Sequence, residues 1–168
     1  MEKKHRTFRN RFFAGLIDGF IFLPLFIVGD YLTHKMLISV LWYDLAETIF
    51  WTIYVVVGHG KYGQTIGKWL MNVKVLNLEE NGLIGYKKAF YRESIWFLIS
   101  LSAIIYWLIK LRFENFDIPA NLEKYENLTL FFAGGWIVIE LSTMLMNNKR
   151  RALHDFMGGS VVVNLKYK

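Results

Sequence analysis

The sequence of 168 residues contains no cysteine. This absence excludes a disulfide framework, a thiol nucleophile and any metal site built on cysteine ligands. The sequence also lacks internal repeats, low-complexity tracts and flexible linkers, and its length suits one domain. We therefore expect a single domain over residues 1–168.

Charged residues are scarce inside four apolar segments, at about 12–28, 36–57, 89–109 and 128–146. Each segment has about the length that a helix needs to cross ~30 Å of hydrocarbon. A soluble four-helix bundle is the alternative, but it requires a polar stripe on every helix, and residues 94–109 carry no charge. With 54% hydrophobic residues, the sequence predicts an all-α integral membrane protein, a four-helix transmembrane bundle. The first segment follows a basic stretch, as a signal peptide does, but it has no obvious cleavage site, so we expect a retained helix.

Lysines and arginines predict the orientation of this bundle. Most of the 20 lie before the first helix, in or beside the middle connection (58–88), or in the tail (147–168). The four exceptions lie in the other two connections: Lys35, Lys110, Arg112 and Lys124. Because cytoplasmic loops are rich in positive charge, we expect both termini and the middle connection in the cytoplasm. The net charge is +6, and the basic residues lie beside the ends of the apolar segments. This distribution suits contact with anionic lipid headgroups better than binding to nucleic acid.

Two short strands are predicted outside the membrane. Val73 and Val75 precede a turn signal at Asn81-Gly82, and the tail contains the strand-like stretch 160–165. Because both stretches lie on the same side of the predicted membrane, they would protect each other's edges by pairing. We expect them to form a small cytoplasmic cap.

Four carboxylates lie inside the apolar segments: Asp18, Asp44, Glu47 and Glu140. A charge near the bilayer centre costs at least ~2.5–3.5 kcal/mol, so these side chains should face the bundle interior, a cavity or a partner. One interpretation is a cation or proton path made of a ladder of acids. The other is structural, with protonated carboxyls that hydrogen-bond between helices. For Asp18 we favour a functional or fold-critical role. For Asp44, Glu47 and Glu140 the sequence leaves both interpretations open.

Enzymatic motifs are incomplete. The Gly-Lys at 67–68 lacks the glycine and the Ser/Thr of a phosphate loop, because Tyr62 and Trp69 stand in their places. The pair His154-Asp155 lacks the further histidines of a metal-dependent phosphohydrolase, and no Gly-x-Ser-x-Gly elbow is present. We expect no catalytic residue, no cofactor and no metal. His154 is predicted as either a cytoplasmic pH sensor or an ordinary surface histidine.

Three stretches together resemble the RDD family of small bacterial membrane proteins. The first is "RFFAGLID", with Arg11 and Asp18. The second is "GQTIGKWLMNVKV", and its matching residues are Gly63, Gln64, Thr65, Gly67 and Lys68. The third is "RRALHDFMGGSVVV", and its matching residues are Arg151, His154 and Asp155.

The resemblance implies a multi-pass protein of the bacterial inner membrane and suggests transport, since sodium/proton antiport is associated with some members. In that hypothesis, Na⁺, Li⁺ or K⁺ exchanges for protons on the four acids. A gate is formed by Arg11, Asp18 and Asp155. Because the bundle is narrow, we expect a homo-oligomer. The alternative is a scaffold or accessory subunit that binds other membrane proteins or lipids. Asp155 would then accept hydrogen bonds from the basic start of helix one or from Thr65 and Lys68.

Overall fold

The computed structural model describes residues 2–33, 37–112 and 120–167. Its helices and strands, in chain order, are α1 (Phe8–Thr33), α2 (Leu37–Val57), α3 (Ile66–Leu70), β1 (Val73–Asn77), α4 (Gly85–Arg112), α5 (Ala120–Met146), α6 (Leu153–Met157) and β2 (Ser160–Asn164). The four long helices coincide with the four predicted apolar segments. α2 matches its segment, whereas α1, α4 and α5 are longer than theirs because the flanks continue the helices, as at the start of α4. The connections at 34–36 and 113–119, including Lys35, lie outside the described residues.

Within the described ranges, two helical stretches are long and apolar enough to cross a membrane, Lys3–Gly29 and Gly85–Ile109. Only 22% and 17% of their most apolar windows are buried inside the chain, whereas the core helix of a soluble protein is mostly buried. The described apolar part of α5, Phe131–Met146, is shorter than a full span. The prediction of a mainly helical chain is thus confirmed, and two of its helices are candidate membrane spans by length and composition. Four spans and the orientation stay predictions.

The predicted pair of strands is present. β1 and β2 form an antiparallel two-stranded sheet in which Val75 lies opposite Val162 and Val73 opposite Asn164. The turn after β1 is closed by the Asn77 side chain, whose Oδ1 accepts hydrogen bonds from the backbone N–H groups of Asn81 and Gly82.

Both faces of the small sheet are covered, although it has only two strands. On one face, Val73, Val75 and Val162 pack with Ile84 and with Ala89 of α4. Residues of the other face form a second apolar cluster: Leu76, Val161, Val163 and Leu165. This packing fixes the sheet to the first turns of α4, and through it the middle connection and the tail become one layer at the helix ends.

The described helices contact one another, and the short helices α3 and α6 contact the strands of this layer. α2 packs along α4 and also contacts α1, while α4 contacts α5 and α6, and α1 contacts the short helix α3. α2 continues into a π-helical turn, Gly58–Tyr62, which packs on α4 and carries the buried His59. The polar residues of the three sequence stretches therefore meet where α1, α2 and α4 approach the layer.

Candidate functional site

Asp18 of α1 is a buried acceptor, 3% exposed, at the contact between α1 and the middle connection. Its Oδ1 accepts hydrogen bonds from the Tyr54 hydroxyl at 2.6 Å and from the backbone N–H of Gly67 at 2.8 Å. Its Oδ2 accepts a hydrogen bond from the Thr65 hydroxyl at 2.6 Å. Three donors from two other segments therefore converge on one carboxylate.

These contacts cap helix α3. The first backbone N–H groups of a helix have no partner inside the helix. Here the N–H of Ile66 donates to the Tyr54 hydroxyl at 2.9 Å, and that of Lys68 donates to the Thr65 hydroxyl at 3.3 Å. Together with the bond from Gly67 to Asp18, every one of the first three N–H groups has an acceptor. We call this arrangement the Asp18 cap, made of Asp18, Tyr54, Thr65 and Gly67.

Gly67 is required by the closeness of α1 and α3. A Cβ atom at this position would lie 2.1 Å from the carbonyl oxygen of Ala14 and 2.9 Å from Cγ of Asp18. Real carbon atoms do not approach a backbone oxygen so closely, so no side chain fits without separating the two helices. The glycine therefore allows the short hydrogen bonds of the Asp18 cap.

Asp155 lies at the centre of a second cluster and is completely buried. Its Oδ1 lies 2.7 Å from Nη1 of Arg92, and its Oδ2 lies 2.8 Å from Nη1 of Arg11. The backbone N–H of Ala152 also donates to Oδ2, at 2.9 Å. Burial by itself raises the pKa of Asp155, but the two guanidinium groups hold that pKa well below its usual range. Asp155 is therefore an ionised carboxylate shared by two arginines.

His154 completes this cluster. Its Nε2 lies 3.0 Å from Nη2 of Arg11 and 2.7 Å from Nη2 of Arg92, and because guanidinium groups only donate, Nε2 is an acceptor. The other ring nitrogen, Nδ1, contacts the Glu140 carboxylate, which also accepts the backbone N–H of His154 at 3.0 Å. Nε2 also lies 3.4 Å from Oδ1 of Asp155, so the ring contacts a carboxylate on each side. We call Arg11, Arg92, Glu140, His154 and Asp155 the Asp155 cluster.

Sequence reasoning did not single out Arg92 as a site residue. It was counted only among the basic residues beside the middle connection, yet its side chain is 2% exposed and pairs with Asp155. The available signal was the charged pair Arg92-Glu93 at the start of an otherwise apolar segment, since charges at such a position need partners. Because Asp155 lies 63 residues away in sequence, the partner itself was not predictable from the pattern.

Glu93 and His59 were also missed. The imidazole of His59 is 2% exposed, and its Nδ1 lies 3.3 Å from Oε1 of Glu93. Burial, followed by the nearby charge of Lys68, lowers the pKa of His59 to about 3, so the ring is neutral at physiological pH. Burial, followed by the charge of Arg92, lowers the pKa of Lys68 to about 8. His59, Lys68 and Glu93 are thus neighbouring titratable groups near the N-terminal end of α4.

A cavity of about 370 Å³ lies between α1, α2 and α4 next to Glu93. Its lining residues are Phe26, Glu47, Thr48, Trp51, Glu93, Trp96 and Ser100. We call it the Glu47–Glu93 cavity, because it brings together two carboxylates from different helices among aromatic walls. Among the described residues, no basic side chain lies within ion-pair distance of Glu47, whereas Glu93 lies 3.6 Å from Nε of Arg92.

The structure separates the four acids of the predicted ladder. Asp18 belongs to its cap, and Glu140 belongs to the Asp155 cluster. Glu47 lines the cavity, and Asp44, one turn away on α2, interacts with Trp107. Arg11, for which a partner on the tail was considered, contacts Asp155 rather than Asp18.

The other motif residues hold the layer together. Gly63 adopts a left-handed conformation, with φ of 73°, after the π-helical turn. Gln64 donates from Nε2 to the carbonyl oxygen of Val73 at 2.9 Å, which fixes the start of β1. Arg151 donates from Nε to the carbonyl oxygen of Ser160 at 2.9 Å, which fixes the start of β2. Within the described ranges, no group of three His, Asp or Glu side chains is placed to hold a metal ion.

Comparison with known proteins identifies a family. The model of the RDD family matches residues 6–159, most of the chain. The match includes both clusters and the cavity-lining residues. No curated protein and no solved structure gave a significant match.

Proposed function

Because the chain belongs to the RDD family, and because two carboxylates meet in a cavity between its helices, we propose that it is a multi-pass membrane protein that exchanges a monovalent cation for protons. The observation that carries this proposal is the Glu47–Glu93 cavity. A carboxylate in a membrane interior is stable when it is protonated, hydrated or bound to a cation, so it is suited to hold either of two competing cations.

The cavity offers oxygen ligands at one place. Glu47 and Thr48 line it from α2, and Glu93 and Ser100 line it from α4, so each helix contributes one carboxylate residue and one hydroxyl residue. Hard monovalent cations bind where several oxygens converge. Sodium, lithium and potassium are therefore the ions to test first.

Glu93 links the cavity to the charged layer. Glu93 is one of the residues that line the cavity, and its Oε1 lies 3.3 Å from Nδ1 of His59 and 3.6 Å from Nε of Arg92. A cation that binds Glu93 competes with Arg92, which is itself held by Asp155. In the proposed exchange, this competition couples the occupancy of the cavity to the layer at the helix ends.

The proposal includes the predicted topology. We place four spans in a bacterial inner membrane with both termini, the sheet and the Asp155 cluster in the cytoplasm, following the positive-inside rule. A homo-oligomer is included because four helices make a narrow bundle.

Ion-driven proton movement in proteoliposomes tests this function. Purified protein is reconstituted, and internal pH is followed after addition of Na⁺, Li⁺ or K⁺, with choline as the control cation. We expect proton flux with at least one alkali cation, lost in Glu47→Gln and kept in Glu79→Gln, which makes the same change on an exposed loop residue. Equal flux from empty liposomes and protein would reject exchange of these ions.

A scaffold or accessory subunit is the second candidate. It is favoured by the contacts of Asp18, whose carboxylate accepts three hydrogen bonds from groups of the chain itself. In that case the two clusters serve only to hold the layer on the helices. Absence of flux combined with stable capture of a membrane partner, unaffected by Glu47→Gln, would support it.

A further inference from the structure

A second cavity, of about 490 Å³, lies where the start of α1 meets the end of α5. Its lining residues are Arg6, Phe8, Arg9, Asn10, Leu145 and Arg150. It takes no part in the proposed cation exchange. We call it the arginine pocket.

All the charged residues that line the arginine pocket are positive. Three arginines line it, and within the described part of the chain none of them has a carboxylate at ion-pair distance, whereas Arg11 nearby pairs with Asp155. One of the three, Arg150, donates from Nη1 to the carbonyl oxygen of Leu145 at 3.0 Å, which leaves its other donors for a ligand. Three unpaired guanidiniums that share one cavity repel one another and are stabilised by an anion between them. Because a guanidinium presents a planar fork of donors that fits phosphate oxygens, a phosphate group is the anion that suits this set best.

The pocket is held in shape by the Asp155 cluster. Arg150 has a left-handed backbone, with φ of 50°, and its N–H donates to the carbonyl oxygen of Asn147 at 3.1 Å. Its own carbonyl oxygen accepts a hydrogen bond from Nη1 of Arg11 at 3.0 Å. On the other wall, Nδ2 of Asn10 donates to the carbonyl oxygen of Met71 at 2.8 Å. Two sides of the pocket are thus fixed before any ligand binds.

The apolar wall distinguishes a lipid from a free phosphate. Phe8 and Leu145 line the pocket beside the guanidiniums, and the neighbouring side chains Phe12 and Met146 are 57% and 86% exposed. Exposed apolar side chains of α1 and α5 therefore lie near in sequence to the apolar wall of the pocket. A soluble phosphate gains nothing from that wall, whereas the acyl chains of a phospholipid bury it.

We propose that the arginine pocket binds the phosphate of an anionic phospholipid headgroup, with Arg6, Arg9 and Arg150 on the phosphate oxygens and the acyl chains along Phe8 and Leu145. A basic pocket between helices at a membrane edge is a known way to hold such headgroups. The ligand class follows from the three unpaired guanidiniums and the apolar wall together.

The test measures lipid binding by the full chain in a neutral detergent. Short-chain phosphatidylglycerol, short-chain phosphatidylcholine and glycerol phosphate are titrated separately, and retained ligand is counted by native mass spectrometry. The pocket variant is Arg6→Gln/Arg9→Gln/Arg150→Gln. The matched control, Lys61→Gln/Lys87→Gln/Lys88→Gln, removes the same charge from exposed residues away from the pocket.

We expect the pocket variant to bind phosphatidylglycerol at least about tenfold more weakly, and the control to change less than about threefold, since each basic side chain near a lipid headgroup contributes modestly. If Arg150→Gln prevents folding, the Arg6→Gln/Arg9→Gln pair gives the same comparison. Equal weakening in pocket and control variants, or unchanged binding in the pocket variant, would overturn the proposal. Equally tight binding of glycerol phosphate would also overturn it and identify a soluble phosphate site.

Discussion

The Asp18 cap and the Glu47–Glu93 cavity both place carboxylates among apolar helices, but they satisfy them differently. Asp18 accepts three short hydrogen bonds from a tyrosine, a threonine and a backbone N–H. Glu47 lines a cavity of about 370 Å³ and has no basic partner among the described residues. A buried polar group with all its partners stabilises one conformation, whereas one without them is free to bind a ligand. The comparison therefore assigns Asp18 to the fold and Glu47 to the proposed ion site.

The Asp155 cluster is the strongest example of a buried carboxylate that has all its partners within the chain. Asp155 is buried between Arg11 of α1 and Arg92 of α4, so a single carboxylate joins the tail to two long helices. The family match extends over Arg11, Asp18 and Asp155. In this structure the two aspartates are the anchors of the middle connection and of the tail, respectively.

The change with the largest expected effect is Asp155→Asn. It leaves two guanidinium groups without their shared counter-charge, and breaking a buried ion pair by removing one partner costs ~3–5 kcal/mol. Thermal unfolding of the detergent-solubilised protein should show this loss or a failure to accumulate. The control is Glu79→Gln on an exposed loop residue, for which we expect no more than about 0.5 kcal/mol. Equal stability of the two variants would contradict an anchoring role for Asp155.

Gly67→Ala tests the Asp18 cap without touching a charge. The new Cβ atom would meet the carbonyl oxygen of Ala14 at 2.1 Å, so α1 and α3 must separate and lengthen the bonds to Asp18. Overpacking of this kind costs ~1–3 kcal/mol. The control is Gly15→Ala on α1, where no atom lies within 4 Å of the added carbon. A lower unfolding temperature for Gly67→Ala alone is expected, and a loss of the same size in Gly15→Ala would speak against the close approach.

Acid should weaken the Asp155 cluster in a defined direction. Because the pKa of Asp155 is depressed in the folded state, its contribution to stability is complete above its ordinary pKa of ~3.9 and is lost as pH falls toward the folded value. Between pH 5 and pH 3 the unfolding temperature of the native chain should therefore fall more steeply than that of Asp155→Asn. Parallel curves for the two proteins would contradict the assignment of an ionised Asp155.

A smaller effect concerns Lys68 beside Glu93. Its pKa is lowered from an ordinary value of 10.5 to about 8, by burial first and then by the charge of Arg92. In about half of the protein molecules the Lys68 amine should therefore be unprotonated at pH 8. The rate at which Lys68 is acylated should level off above that pH. The measurement is a pH series of pulse labelling read by mass spectrometry, with the denatured chain as the reference. A rate that rises in parallel with the denatured chain up to pH 10 would contradict the shift.

Much of the fold was predictable from local patterns. The four apolar segments, the turn at Asn81-Gly82 and the valines of the tail indicated the long helices and the two strands, because period and turn chemistry are local properties. The family resemblance, now shown by the match over residues 6–159, indicated which polar residues matter.

The partners of those polar residues were not predictable. The sequence placed Asp18 and Glu140 on one ladder, but their partners come from distant segments: Thr65 and Gly67 for Asp18, and His154 for Glu140. The roles of Arg92 and Glu93 were missed for the same reason. Spacing along a helix gives the face and depth of a side chain, whereas its chemical role depends on which other helix packs against it.

The most direct test of this account compares Asp18→Asn with Glu47→Gln in proteoliposomes. Cation-driven proton flux is normalised to the amount of folded protein, and the unfolding temperature of each variant is measured beside it. We predict that Asp18→Asn lowers the unfolding temperature but keeps flux per folded molecule, while Glu47→Gln keeps the unfolding temperature and loses flux. Loss of flux in Asp18→Asn at native stability, with normal flux in Glu47→Gln, would contradict the division between a fold-holding aspartate and an ion-binding cavity.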